Sequence, residues 1–341
     1  MNYATLRQSM PALALVALAL ILTPDAPTRR PMLWIVGGTP RMFLYGTIHV
    51  ADERVTQHLP VVQQALDQST ALYTELAMDP AGMVAIQQAT LGRARLPEGQ
   101  TLTKLFGPEL HARVAKCLPA GTPLALLDGF KPWLITMLLI QTSMLEHQEK
   151  LAAQAKAEGQ PAPKEGAEAL DPMLFNQALA AGKQVGGLEE IDAQLDAFDN
   201  LPLEGQVDMV RESVIAIEKA RAAAEDGGGE AEADPLGAMV DMWLLGDDGG
   251  FAKIFRDSVR GQGGDAELFV YTLLDKRNVG MAKEILRLRG EDPSQTYFFA
   301  VGSGHMPGPQ GIVRLLQRAG LKVRRVLLGE KLRPLPVPAG V

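Results

Sequence analysis

A chain of 341 residues, 47% hydrophobic and 21% charged, can bury a sizeable core as one large domain or two closely joined halves. Its formal charge of −7 and the lack of any Lys/Arg run interleaved with aromatics exclude a phosphate-backbone partner, so no nucleic acid is expected. The single cysteine, Cys117, excludes an intramolecular disulfide framework and a Cys-rich zinc site, and it reads as a small buried or half-buried thiol.

At the N-terminus, Arg7 precedes an apolar stretch, Pro11–Leu22, and then Thr23-Pro24-Asp25-Ala26. This is the charged-then-apolar layout of a secretory signal, and it is shorter than the ~20 apolar residues of a spanning helix. Pro27 directly after Ala26 disfavours cleavage there, so residues 1–30 are read as a signal peptide or an uncleaved signal-anchor. No cysteine follows the apolar run, which excludes a lipoprotein. The expected location is exported, periplasmic or extracellular, with membrane association through this segment if it stays attached.

Met32–Val36 and Arg41–Ile48 predict two strands around the turn Gly37-Gly38-Thr39-Pro40. Val55–Gln68 carries Val55, Leu59, Val62, Ala65 and Leu66 at helical spacing, and Ala71–Leu76 predicts a strand that ends near Glu75. Helices are expected over Gly82–Leu91, Leu105–Cys117, Trp133–His147 and Pro172–Ala181, then a short strand, Gln184–Leu188, leading to Glu189. Asp265–Arg289 is helical in pattern; Tyr297–Val301 is a strand, Gly311–Arg318 a helix and Lys322–Leu328 a last strand. Lys150–Glu168 and Ala222–Asp234 are rich in small and charged residues and read as solvated, disordered inserts (150–168 and 222–234). Strands alternating with helices predict an α/β fold.

Two pieces of this pattern are alike. Gly46-Thr47-Ile48-His49 and Gly302-Ser303-Gly304-His305 each follow an apolar strand, and each places a histidine three residues after a glycine. Only five histidines exist, at 49, 58, 111, 147 and 305, so two sharing one local arrangement point to a common metal or catalytic centre at strand tips. His58, His111 and His147 fall in helical pattern without paired ligand spacing and read as surface residues. Taken singly, the other candidates have ordinary readings: Glu75 as a strand-end acid, Glu189 as part of an acidic helix start, Arg277 as a solvated charge. Ser303 is flanked directly by glycines, unlike the Gly-x-Ser-x-Gly of a nucleophile elbow, and reads as a turn residue. Gly302–Gly311 ahead of a helix can also be read as an anion-binding turn, which leaves the His49 motif unexplained. No His-Glu-x-x-His helix is present.

These pieces, in order, resemble the TraB/GumN family, which includes the Tiki metalloproteases. The resemblance runs through Leu33-Trp34, Leu44–His49, the Glu75 strand, Leu170-Asp171, Gly187-Leu188-Glu189 with Gln194, Arg277-Asn278, and Gly302–His305 followed by Gly308 and Gly311. It covers nearly all of 31–330 as one domain. It implies an α/β fold with a mixed β-sheet core, flanking helices, two weakly related halves and a strand-tip active site. It further implies a metal-dependent hydrolase centre formed by His49, His305 and Glu75, with Glu189, Asp171, Arg277 and Asn278 as further recurring polar positions. Tyr73-Thr74 before Glu75, where aliphatics are common, is a departure at the periphery.

The residue types suit that chemistry. Two neutral imidazoles and a carboxylate suit Mn, Co, Zn or Fe and leave positions open for water and substrate. A bound ion lowers the pKa of water toward ~7 and polarises a carbonyl. Glu189 or Asp171 is then expected as a general base or further ligand, and Arg277 as a holder of a substrate carboxylate or oxyanion. The favoured function is an exported metal-dependent hydrolase acting on a peptide or protein. The alternative is a non-enzymatic envelope protein that binds a peptide or signal molecule in the same cleft.

Overall fold

The computed structural model describes residues 30–333, except 58, 160–167, 227–233, 252 and 254–263. The expected signal segment therefore lies outside the described residues, apart from Arg30. No helix among the described residues is long and apolar enough to cross a membrane.

Six strands form one mixed sheet: β1 Leu33–Val36, β2 Met42–Thr47, β3 Ala71–Thr74, β4 Gln184–Gly187, β5 Tyr297–Gly302 and β6 Val323–Arg325, in spatial order β4-β3-β5-β2-β1-β6. β2, β5, β3 and β4 run parallel, and β1 is antiparallel to both of its neighbours. Every residue of β2, β3 and β5 is buried, so both faces of the central sheet are covered, as expected for apolar parallel strands. Phe43, Leu44, Phe298 and Phe299 sit wholly inside, each worth roughly 1.5–3 kcal/mol of burial. The α/β expectation and all six expected strands hold, with ends shifted by a few residues. The two halves are not separate lobes, because β5 inserts between β3 and β2.

Register explains where the chemistry collects. Thr47 lies opposite Gly302 and Thr74 opposite Gly187, so the parallel strands end together and release His49, Glu75, Glu189 and His305 along one edge.

The helices are α1 Glu53–Thr56, α2 Pro60–Gln68, α3 Pro80–Arg93, α4 Leu102–Cys117, α5 Pro132–Ala157, α6 Leu170–Ala180, α7 Ile191–Asp199, α8 Leu203–Asp226, α9 Pro235–Leu245, α10 Gly264–Val270, α11 Arg277–Glu291 and α12 Ile312–Arg318. The sheet core takes Val62 and Leu66 from α2, Leu174 and Phe175 from α6, Met281 and Ile285 from α11, and Ile312 and Leu316 from α12. A second core joins α4, α5 and α8 around Leu110, Val114, Leu139, Val210 and Val214. Cys117 is buried there, and burial pushes its thiol pKa up.

Several expectations need correction. The helix expected over Val55–Gln68 is broken between α1 and α2, because Pro60 has no N–H and holds Leu59 extended. Lys150–Ala157 is not an unstructured insert but the end of α5, whose Ala, Gln and Lys are strong helix formers; 160–167 lie outside the described residues. Likewise α8 runs to Asp226, and Asp234 caps α9 by accepting from the Gly237 N–H, while 227–233 lie outside the described residues. Neither α8 before Ala222 nor α9 was anticipated. The 265–289 helix is interrupted by a π-helical turn, Tyr271–Lys276.

His147 is not a surface residue. Its imidazole is 1% exposed and lies between two carboxylates, with Nδ1 3.0 Å from Asp234 and Nε2 3.4 Å from Asp52. Arg54 also binds Asp52, and Lys150 lies 3.6 Å from Asp234. His111 is half-buried, and His58 lies outside the described residues.

Candidate active site

The glycine that opens each Gly-x-x-His motif is there for close approach. A Cβ on Gly46 would come within 3.0 Å of the Ser303 hydroxyl, which donates to the Thr47 carbonyl at 2.8 Å and stitches the two motifs together. A Cβ on Gly302 would sit 3.0 Å from Glu75 Oε1, 3.3 Å from His49 Nε2 and 3.6 Å from His305 Cδ2. A side chain at 302 would thus press on His49, Glu75 and His305 together. Ser303 is thus a turn residue, as its flanking glycines suggest.

Each imidazole is oriented through its Nδ1. The carboxylate of Asp171 accepts from His49 Nδ1 at 2.8 Å through Oδ2 and from the Thr47 hydroxyl at 2.7 Å through Oδ1. Asn278 donates its amide to the Gln310 carbonyl at 2.9 Å, which leaves Oδ1 to accept from His305 Nδ1 at 2.6 Å. Both rings consequently aim Nε2 inward, and each Nε2 lies 3.7 Å from the same oxygen, Glu75 Oε1. This is the usual way an outer partner fixes the tautomer and direction of a metal-binding histidine.

Charge is concentrated behind the histidines. Glu75 Oε1 accepts the Gly302 N–H at 2.8 Å, and Oε2 accepts from Arg277 and from Gln194 at 3.2 Å. Arg277 forks onto Glu189 as well, with Nε 3.0 Å from Oε1, and donates NH1 to the Leu273 carbonyl at 2.9 Å within the π turn. NH1 also lies 3.3 Å from His305 Nε2. Gln194 bridges the two acids, donating to Glu189 at 3.1 Å.

These contacts set the protonation states. Burial alone would raise the Glu75 pKa, but His305, His49 and Arg277 hold it well below the usual carboxylate range. Burial raises Glu189, and Arg277 only partly offsets it. Burial lowers His305 to about 4, leaving Nε2 unprotonated at neutral pH, an acceptor facing Arg277. Asp171 raises His49 well above its ordinary value against the opposing effect of burial. The His49 side chain is 54% exposed, whereas those of Glu75, Glu189, Arg277 and His305 are under 10%, so approach to the centre is from the His49 side.

Among the described residues, no group of three His, Cys, Asp or Glu is closed into a ready metal cluster. The donor set nevertheless fits a divalent ion in kind and aim: two oriented imidazole nitrogens face one oxygen of an ionised carboxylate. Their 3.7 Å separations are a little longer than those of ligands ~2 Å from one ion, and Arg277 NH1 now faces His305 Nε2.

All seven residues singled out in the sequence, His49, Glu75, Asp171, Glu189, Arg277, Asn278 and His305, meet in this network. Two assigned roles change. Asp171 stands behind His49, on the Nδ1 side, so it is an orienting group rather than a base or ligand at the centre. Arg277 is 5% exposed with its donors already engaged by Glu75, Glu189 and Leu273, so in this state it has none directed at a substrate. The Gly302 N–H that meets Glu75 belongs to the run read as an anion-binding turn; the sequence marks neither Thr47, which lies inside a motif, nor the π turn.

A family model for the TraB/PrgY/gumN family matches residues 32–325. Metalloprotease TIKI1 of Danio rerio is 27% identical over 338 residues, covering 88% of this chain and 64% of the relative. Metalloprotease TIKI1 of Homo sapiens is 23% identical, covering 90% of this chain and 64% of the relative. An uncharacterized protein of Treponema pallidum is 23% identical and is covered over 81% of its length. The chain therefore spans a little under two thirds of the TIKI1 relatives. No solved structure matches. With the family model spanning both Gly-x-x-His motifs and the strands that carry them, the chain belongs to the TraB/PrgY/gumN family.

Proposed function

We propose that this protein is an exported, metal-dependent hydrolase that cleaves amide bonds in a peptide or protein. The observation that carries the reading is the convergence of His49 Nε2 and His305 Nε2 on Glu75 Oε1, with both Nδ1 atoms held from behind. His49, His305 and Glu75 would hold the ion, drawn from Mn, Co, Zn or Fe. When bound, the ion supplies Lewis acidity toward a carbonyl and toward water. Glu189 is the carboxylate left outside this trio; held by Arg277 and Gln194, it pairs the arginine's charge rather than standing as a free base. The names of the TIKI relatives support a protease, at an identity of 27% or less.

One observation favours the non-enzymatic alternative: Arg277 already balances the charge of Glu75, so the site is electrostatically satisfied without an ion. Metal analysis of protein purified without a polyhistidine tag, followed by a peptide-library cleavage assay before and after chelation, separates the two. Bound metal with chelator-sensitive cleavage supports the hydrolase. Metal-free protein, or cleavage indifferent to chelation, sinks it. Export rests on Arg7 and the apolar Pro11–Leu22, and fractionation that finds the protein only in the cytosol refutes it.

A further inference from the structure

Arg277 competes for the groups an ion needs. Its NH2 binds Glu75 through Oε2, the oxygen not shared by the two imidazoles, and its NH1 points at His305 Nε2 from 3.3 Å, so one guanidinium takes up the charge of the carboxylate and the lone pair of one imidazole. The other imidazole nitrogen, His49 Nε2, faces the remaining Glu75 oxygen. Arg277 is the first residue after the π turn, and that turn presents the Leu273 carbonyl to NH1 at 2.9 Å. π turns of this sort gather at functional sites.

The guanidinium also has somewhere to go. Glu189 holds it through Nε and shares NH2 with Glu75. On the side of this pair that is lined by Lys276, Gly280, Lys283 and Glu284 lies a cavity of about 560 Å³, to which Glu189 and Arg277 both contribute. A small rotation about the Glu189 contact would carry NH1 and NH2 off His305 and Glu75 while keeping the buried charge paired. The pairing matters, since an unpartnered buried guanidinium is costly.

We infer that Arg277 is a built-in competitor for the divalent ion, alternating between Glu75 and His305 in the metal-free protein and Glu189 alone when the ion is bound. The inference rests on the metal-dependent reading above and adds that metal affinity is set by an exchange of cations on Glu75. Glu189 then acts as the parking carboxylate that makes the exchange possible. A purely structural Arg277 would behave differently: by bracing Glu75 it would strengthen metal binding.

The test is equilibrium titration of cobalt(II), followed by its visible absorption, into the full chain and its Arg277→Gln and Glu189→Gln variants, with folding checked by circular dichroism. Competition predicts opposite signs. Arg277→Gln should bind cobalt about tenfold or more tightly than wild type, and Glu189→Gln more weakly, in the range usual for coupled ligands. If Arg277→Gln fails to fold, Arg277→Lys replaces it, because an ammonium cannot fork onto both acids and should shift affinity in the same direction. Weaker or unchanged binding in the Arg277 variant overturns the competition and leaves the metal reading standing. Failure of wild type and variants alike to bind cobalt overturns both.

Discussion

His49 and His305 stand 256 positions apart in the chain, yet both place Nε2 3.7 Å from a single oxygen of Glu75. They differ in setting. His305 is buried and tied to Asn278, whereas His49 is half-exposed and tied to Asp171. Replacing His49 by Ala should abolish metal binding and also lower stability, because it leaves the buried Asp171 carboxylate without its imidazole partner. His305→Ala should abolish it and also lower stability, by about 1–3 kcal/mol, through the buried Asn278 oxygen it leaves unpaired. Denaturant melts beside metal analysis check this; metal retained by either variant, or melts unchanged from wild type, would contradict the assigned contacts.

Asp171 and Asn278 act through the imidazoles they orient. Asp171→Ala or Asn278→Ala should weaken metal affinity about 10- to 100-fold, the usual cost of losing such a partner. Competition against a chromogenic chelator measures it, and full affinity in both variants would show that the rings need no support.

Gly302→Ala probes the space beside the centre. The new methyl lands 3.0 Å from Glu75 Oε1 and 3.3 Å from His49 Nε2, pressing on two of the groups that would hold an ion. The expected result is loss of metal in a folded protein, seen as near-native circular dichroism with sub-stoichiometric metal. Undiminished metal content would place the binding point elsewhere.

His147 gives a pH-dependent prediction. Burial works to lower its pKa, but Asp52 and Asp234 outweigh this and raise it above the ordinary value. A raised folded pKa contributes stability that is fully present below the unfolded pKa, near 6.5, and is lost as pH rises through the folded value. His147→Gln should thus cost about 2–3 kcal/mol at pH 5.5, below the usual cost of breaking a buried pair because Arg54 and Lys150 still serve the two acids. The difference from wild type should narrow by pH 9. A pH-independent difference in urea melts would show that the imidazole is held neutral.

Strand-borne chemistry was legible because β2 and β5 are short apolar runs that each stop at a glycine and then present a histidine. Glu75 and Glu189 were legible as strand-end acids, and the family pattern tied them to Arg277 and Asn278. What escaped depends on contacts between distant segments. Nothing in the local pattern around His147 signals that Asp52 and Asp234 close on it from two other elements. The π turn depends on one extra residue per helical turn, which leaves no mark on apolar spacing. The low-complexity reading of Lys150–Ala157 failed because a composition that resembles a linker is also one that prolongs a helix anchored elsewhere.

The parallel pairing of β2 with β5 has a consequence for biosynthesis. These neighbours lie far apart in the chain, so the centre cannot assemble until synthesis has passed β5 and His305. Any product that stalls or is clipped before Tyr297 lacks both His305 and the strand that positions it. The proposed activity would thereby wait until synthesis has passed His305, a safeguard by topology alone against a reaction that would endanger the compartment where the chain is made.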